Sequence, residues 1–241
     1  MISTERMSDL FVEVADTLVD EFDVIDFLHH LTVHAAAICE AGAAGLMLTD
    51  QIGHLQFMAA SNANGEHLEL LQLQATEGPC LDCFASGEPV VNAHLSHAID
   101  RWPTFAPRAI GLGFHSVHAF PMRLREHTIG ALNLFGSTET LFEVADVRVV
   151  QALADVATIA LMQERTIRRA EELTEQLQGA LTSRVVIEQA KGAVAALDGI
   201  TTDEAFEVLR SRARSGRRRL VDVAQSVLDD GHPPDLPSPP H

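Results

Sequence analysis

Seven positions near the C-terminus carry the chemistry of polyanion contact: Arg184, Lys191 and Gly192, then Arg210 and Arg214, then Arg217 and Arg218. Arginine offers bidentate contacts to phosphate and a flat cation that stacks on an unpaired base. Arg217 to Arg219 also read as a solvated turn, while Arg184, Lys191, Arg210 and Arg214 read together as a binding surface. The other chemistry-bearing residues come earlier. Cys80-x-x-Cys83 has the spacing of a redox pair, since a helix start lowers a thiol's pKa. Two such cysteines in a helix are more often small apolar fillers. With His94-x-x-His97 they invite zinc, although the spacing between the pairs fits no zinc module. His94, His115 and His118 each offer a haem ligand without one standing out. Trp102 and Phe105 complete the candidate ligand pocket, with core plugs as their alternative role. There is no G-x-S-x-G, no H-E-x-x-H and no phosphate-binding glycine loop, so no catalytic or metal set is assigned and no cofactor is required.

Apolar periodicity sets the elements that must position these residues. Leu10, Val14 and Leu18, then Phe27, Leu31, Ala35 and Ile38, predict helices over 5–20 and 24–39. Ala43–Thr49 and Leu55–Ala60 predict a hairpin about Asp50-Gln51-Ile52-Gly53. A short helix over 66–74 follows, then a loop at 77–80 and a helix to Ser86, stopped by Gly87 and Pro89. A strand over 89–93 leads into an irregular stretch, 94–110, with one helical turn. Ser116–Leu124 and Thr128–Phe135 are two more strands. A long helix begins at Val144. Its positions Leu153, Val156, Ala160, Ile167, Ala170, Leu177 and Leu181 fit a heptad, interrupted by Gln163, Thr174 and Arg184. That makes it a connector over 160–181, either a dimer seam or a solvated extension of a domain helix.

Three short amphipathic helices follow. Val186, Ala190, Ala193, Val194 and Leu197 form the apolar face of the first; Ala205, Phe206, Leu209 and Ala213 that of the second; Leu220, Val223, Ala224, Val227 and Leu228 that of the third. Gly192 inside the first suggests a close backbone contact, and Thr201-x-x-Glu204 is a capping box for the second. The Pro-rich end, 231–241, has no periodicity and is expected to be disordered.

Charge divides along the same line. Residues 1–162 hold 6 Lys and Arg against 21 Asp and Glu, whereas residues 181–220 hold 8 against 5. The acidic part repels nucleic acid, so polyanion binding is confined to the tail. Three cysteines make no disulfide framework. No signal-peptide layout and no membrane-length apolar run is present, so the expectation is a cytoplasmic protein without membrane contact.

Two resemblances complete the reading. FPMRLREHTIGALNLFGS, FEVADVRVVQALADVATIAL and the stretch from Glu77 to Pro121 resemble GAF modules of actinobacterial regulators, over roughly 5–165. This implies an α+β sensor domain, an antiparallel sheet flanked by helices, with a pocket for an unknown small-molecule ligand. One GAF subgroup reduces free methionine sulfoxide with pocket cysteines, so the alternatives are such an enzyme, or a GAF-based redox or small-molecule sensor that acts through a protein partner. SRVVIEQAKGAVA, EAFEVLRSRAR and LVDVAQSVL resemble the ANTAR domain over 178–230. This implies an all-α three-helix output module, joined to the sensor by the long helix, that binds RNA stem-loops in nascent transcripts as a homodimer. The expected protein is therefore a non-enzymatic, signal-responsive transcription antitermination regulator.

Overall fold

Residues 23–50, 52–125, 127–139 and 141–230 are described by the structure, a computed structural model. The helix expected over 5–20 and the disordered tail expected over 231–241 lie outside the described residues.

Helix α1 (Val24–Ile38) starts where Asp23 accepts hydrogen bonds from the Ile25 and Asp26 amides, satisfying two of the unpaired first-turn donors. Strands β1 (Ala43–Thr49) and β2 (Leu55–Ala60) form the hairpin, its turn held by the Asp50 carboxylate on the Ile52 and His54 amides. Helices α2 (Ala63–Ala75) and α3 (Pro79–Ser86) follow. Gly65 lets α2 lie close to the sheet, because a Cβ there would stand 2.6 Å from the Ala44 carbonyl oxygen. Strand β3 (Val90–His94), a 3-10 turn (Leu95–His97) and helix α4 (Phe105–Gly111) give the irregular middle its order. Strands β4 (Ser116–Leu124) and β5 (His127–Gly136) complete an antiparallel sheet in the order β2-β1-β5-β4-β3.

Side chains alternate across a strand, so each face of this sheet has its own core. On one face Ala44, Leu46, Leu48, Phe120, Met122, Leu132 and Leu134 pack against Phe27, Leu28 and Leu31 of α1 and against Val150, Leu153 and Ala157. The last three belong to α5, a single helix from Val144 to Asp198. On the opposite face Met47, Ala119 and Ala131 meet Cys80 and Cys83 of α3. Beside them Ala43, Val117 and Phe135 meet Leu68 and Leu71 of α2, Phe105 of α4, and Trp102.

The chain divides into two compact units between Arg165 and Thr166. In the second, Ala190 and Val194 of α5 pack with Ala205, Leu209 and Ala213 of α6 (Thr202–Ser215) and with Val223, Ala224 and Val227 of α7 (Leu220–Asp230). The capping box forms as its sequence signature requires: Thr201 Oγ1 accepts from the Glu204 amide at 3.2 Å, and Glu204 Oε2 accepts from the Thr201 amide at 2.8 Å.

Three sequence expectations change here. Connector and first tail helix are one element rather than two, because no proline interrupts 144–198 and helical glycines at 179 and 192 each cost only about 1 kcal/mol. Leu197 is 54% exposed and does not belong to the buried face. Phe206 is only half-buried, for a reason given below.

Candidate functional site

The pocket candidates do not share one place. Cys80 and Cys83 lie buried on the α2–α3–α4 side of the sheet, as do Trp102 and Phe105. His118 lies on the other side, because it alternates with Val117 and Ala119. There its ring stacks on Phe142 at 4.0 Å, and Nδ1 accepts from the Asn92 amide at 3.1 Å. His115 is exposed at the start of β4. His94 is at the end of β3, its Nδ1 3.9 Å from Glu139 and its ring 5.5 Å from that of His97. The zinc alternative therefore has no geometry: among the described residues, no three His, Cys, Asp or Glu side chains are grouped to hold a metal ion.

Trp102 is a structural anchor. Its Nε1–H donates to Asp82 at 3.0 Å, the Arg101 guanidinium lies 4.9 Å over its ring while also reaching Asp82 at 2.7 Å, and its edge meets Phe105 at 6.1 Å. Glu77 holds the neighbouring chain by accepting from the Phe105 amide at 2.8 Å.

The cysteines are free thiols without thiolate character. Burial pushes Cys83 up to about 12 and Cys80 well above the ordinary thiol range, and Glu69 pushes Cys80 up further. Cys39 is likewise pushed up to about 12 by burial. Burial thus disfavours the thiolate, the form that acts as nucleophile, at all three positions. The native protein is expected to leave all three cysteines unmodified by an aromatic disulfide reagent at neutral pH, and to release three equivalents once denatured. Prompt reaction of two thiols in the native state would restore the redox alternative.

Sequence reasoning missed the polar group at the middle of this face. Glu69, Gln72 and Asn133 are all fully buried. Asn133 Nδ2 lies 2.6 Å from Glu69 Oε1, Gln72 Nε2 donates to Glu69 Oε2 at 3.2 Å, and Gln72 Oε1 accepts from the Cys80 amide at 2.8 Å. Burial raises the Glu69 carboxyl from 4.5 to about 8, against a small opposing effect of Asn133. The signal was present in the sequence. Glu69 and Gln72 share the helical stripe of Gly65, Leu68 and Leu71, and Asn133 alternates with Ala131 and Phe135.

The second unit carries the polyanion candidates. Lys191 Nζ is 2.9 Å from Glu188 on the same helix and 5.6 Å from the centroid of the Phe206 ring on α6. Phe206 is thus half-buried beneath a cation instead of in the core. Arg210 and Arg214 continue its side of α6 at four-residue steps, both exposed, with Arg210 3.4 Å from Glu207. Arg184 is exposed on the same side of α5 as Glu188 and Lys191. Gly192 has open space around its Cβ direction, so among the described residues no packing contact accounts for it. Arg217 is exposed and takes a left-handed backbone (φ +49°) that ends α6. Arg218 is tied down, donating to the Asp222 carbonyl at 3.2 Å and to Ser226 Oγ at 2.8 Å. It anchors the turn into α7.

An ANTAR domain family model matches residues 175–228, and a GAF domain family model matches residues 9–162. No curated protein matches the chain. Among solved structures, the first unit is similar to the GAF domain of a phosphoenolpyruvate-protein phosphotransferase from Coxiella burnetii, with TM-score 0.54, 17% identity and 69% of this chain and 99% of that one covered. The equivalent domain from Acinetobacter gives TM-score 0.53, 15% identity and coverage of 69% and 98%. Free methionine-R-sulfoxide reductase from Neisseria meningitidis gives TM-score 0.52, 15% identity and coverage of 69% and 96%. At these identities the likeness is one of fold. Among the described residues no helix is long and apolar enough to cross a membrane.

Proposed function

Because the chain belongs to the GAF family and carries an ANTAR domain after it, we propose that it is a signal-responsive regulator that binds hairpins in nascent RNA and controls transcription termination. The observation that carries the reading is the cation line of the second unit: Lys191 over Phe206, continued along α6 by Arg210 and Arg214. Those side chains lie on two helices, and Gly192 leaves the α5 backbone open beside Lys191. Arg184 and Arg217 extend the surface. Arg218 contributes through the turn it holds.

In this reading the first unit senses the signal and changes how the start of α5 packs, and the protein works in the cytoplasm beside the transcribing polymerase. It acts as a homodimer. Ile167, Leu173, Leu177, Leu181 and Val185 are each 55–65% exposed and lie along one side of α5, an apolar stripe that a second copy covers. The redox-enzyme alternative loses its support with the buried, neutral thiols.

The test is a gel-shift titration of the full chain with paired-hairpin RNA and with a scrambled RNA, at two salt concentrations, with sedimentation of the same sample. Expected are selective binding, a linear fall of log affinity with log salt, and a dimer. Equal binding to scrambled RNA, or affinity insensitive to salt, overturns the RNA reading; a monomer overturns the dimer.

A further inference from the structure

Glu69 is a carboxyl group with no cation. Among the described residues, what acts on it is burial and the Asn133 amide, and no Arg, Lys or His pairs with it. From β1 it meets Gly45, whose missing Cβ is what makes room for the carboxyl. From β5 it meets Asn133, and along its own helix Gln72. The titratable groups facing it from α3 are the thiols of Cys80 and, behind it, Cys83, both held neutral by burial. An ionised carboxylate taken fully out of water costs several kcal/mol unless it is paired, and two neutral amides do not pair it. One detail of the geometry fits an acid instead. Asn133 Oδ1 is buried without a partner as the amide is oriented, and amide oxygen and nitrogen are assigned from the network they join. With the amide turned over, an acid proton on Glu69 supplies that oxygen with a donor, and Nδ2 takes the place that Oδ1 had.

We propose that Glu69 is a proton-binding site: it stands in the folded first unit as a neutral carboxylic acid hydrogen-bonded to the Asn133 side-chain oxygen, and loss of its proton loosens the layer that α2 and α3 form over the sheet. The ligand is a proton, which needs no cavity in a cluster that Gly45 and Gly78 leave filled by the Glu69 and Gln72 side chains. A negative charge created there has no counterion, and the ways to relieve it are to admit water or to move α2 away from β5. The inference extends the sensing role proposed above by making a rise in pH one of its inputs. It fails separately from that role: an ionised Glu69 would leave RNA binding untouched, and absent RNA binding would leave the titration standing.

The sign follows from linkage. Folding raises this carboxyl from 4.5 to about 8, so its stabilising contribution is complete below 4.5 and is lost as pH rises through about 8. Across that window the unfolding constant of the wild-type full chain, from denaturant titration, is expected to rise about tenfold more per pH unit than that of Glu69→Gln. Above about pH 8, hydrogen exchange of α2 and α3 amides should rise beyond the intrinsic rate in the wild type and not in the variant. Should Glu69→Gln not fold, infrared spectra of the wild-type chain, with glutamate carboxyls isotope-labelled, read the group directly. A protonated-carboxyl stretch at neutral pH that disappears in alkali is expected. All glutamates ionised at neutral pH, or equal pH slopes for the two proteins, overturns the proposal.

Discussion

Replacing Lys191 and Arg210 together with alanine is expected to lower affinity for a paired-hairpin RNA by about 10- to 100-fold, with the fold intact. Each is a charge-assisted contact in the proposed interface, and two such contacts are worth a few kcal/mol at most. Lys191 already holds Glu188, so part of its value is spent within the chain, which keeps the estimate at the lower side of a buried pair. The slope of log affinity against log salt should fall by about 2, one per lost phosphate contact. Neither substitution touches the core of the second unit, which rests on Ala190, Val194, Ala205, Leu209 and Ala213. Gel shift across a salt series checks both numbers, and circular dichroism checks the fold. Unchanged affinity in a folded double variant would remove Lys191 and Arg210 from the interface.

Trp102→Ala is expected to destabilise the first unit by about 3–5 kcal/mol, the range for deleting a large buried aromatic side chain. The indole is 1% exposed, and three separate supports meet on it: the Asp82 acceptor, the Arg101 guanidinium and the Phe105 edge. Its removal leaves Asp82 with Arg101 alone and opens a void against Phe105, which in turn packs on Phe135 of β5. Chemical denaturation followed by far-UV circular dichroism measures the change. A loss under about 1 kcal/mol would show that the void collapses or fills, and that the indole lines a site instead of supporting the core.

These two residues also mark how far the sequence could be read. Lys191 and Arg210 were legible as charges on amphipathic helices, but the seating of Lys191 over Phe206 was not. Which side chain of α6 lies under Lys191 depends on how α5 and α6 cross, and Phe206 at an apolar position reads as core until that crossing is known. Trp102 was legible as either plug or pocket wall, since an isolated tryptophan in an irregular stretch has no period to place it.

By itself the sequence determined the order and type of most elements among the described residues, because that information is local. The Asp50-Gln51-Ile52-Gly53 turn, the Pro89 and Gly87 stops, the Thr201–Glu204 capping box and the alternation along β4 and β5 each act over a few residues. It determined the polarity split, and with it the expectation that a polyanion surface lies in the last third. Tertiary structure alone decided which residues meet. The sheet sends His118 to one face and Cys80 and Cys83 to the other, so candidates that looked like one pocket are divided by the backbone. The union of connector and first tail helix, by contrast, was local information that the heptad breaks concealed, since helix propagation needs only the absence of a strong breaker. Tertiary structure also set Glu69, a charged type in an apolar stripe, against Asn133 from a strand 64 residues away. Local pattern says that a glutamate faces inward; only the assembled core, where no cation pairs with it among the described residues, bears on its proton.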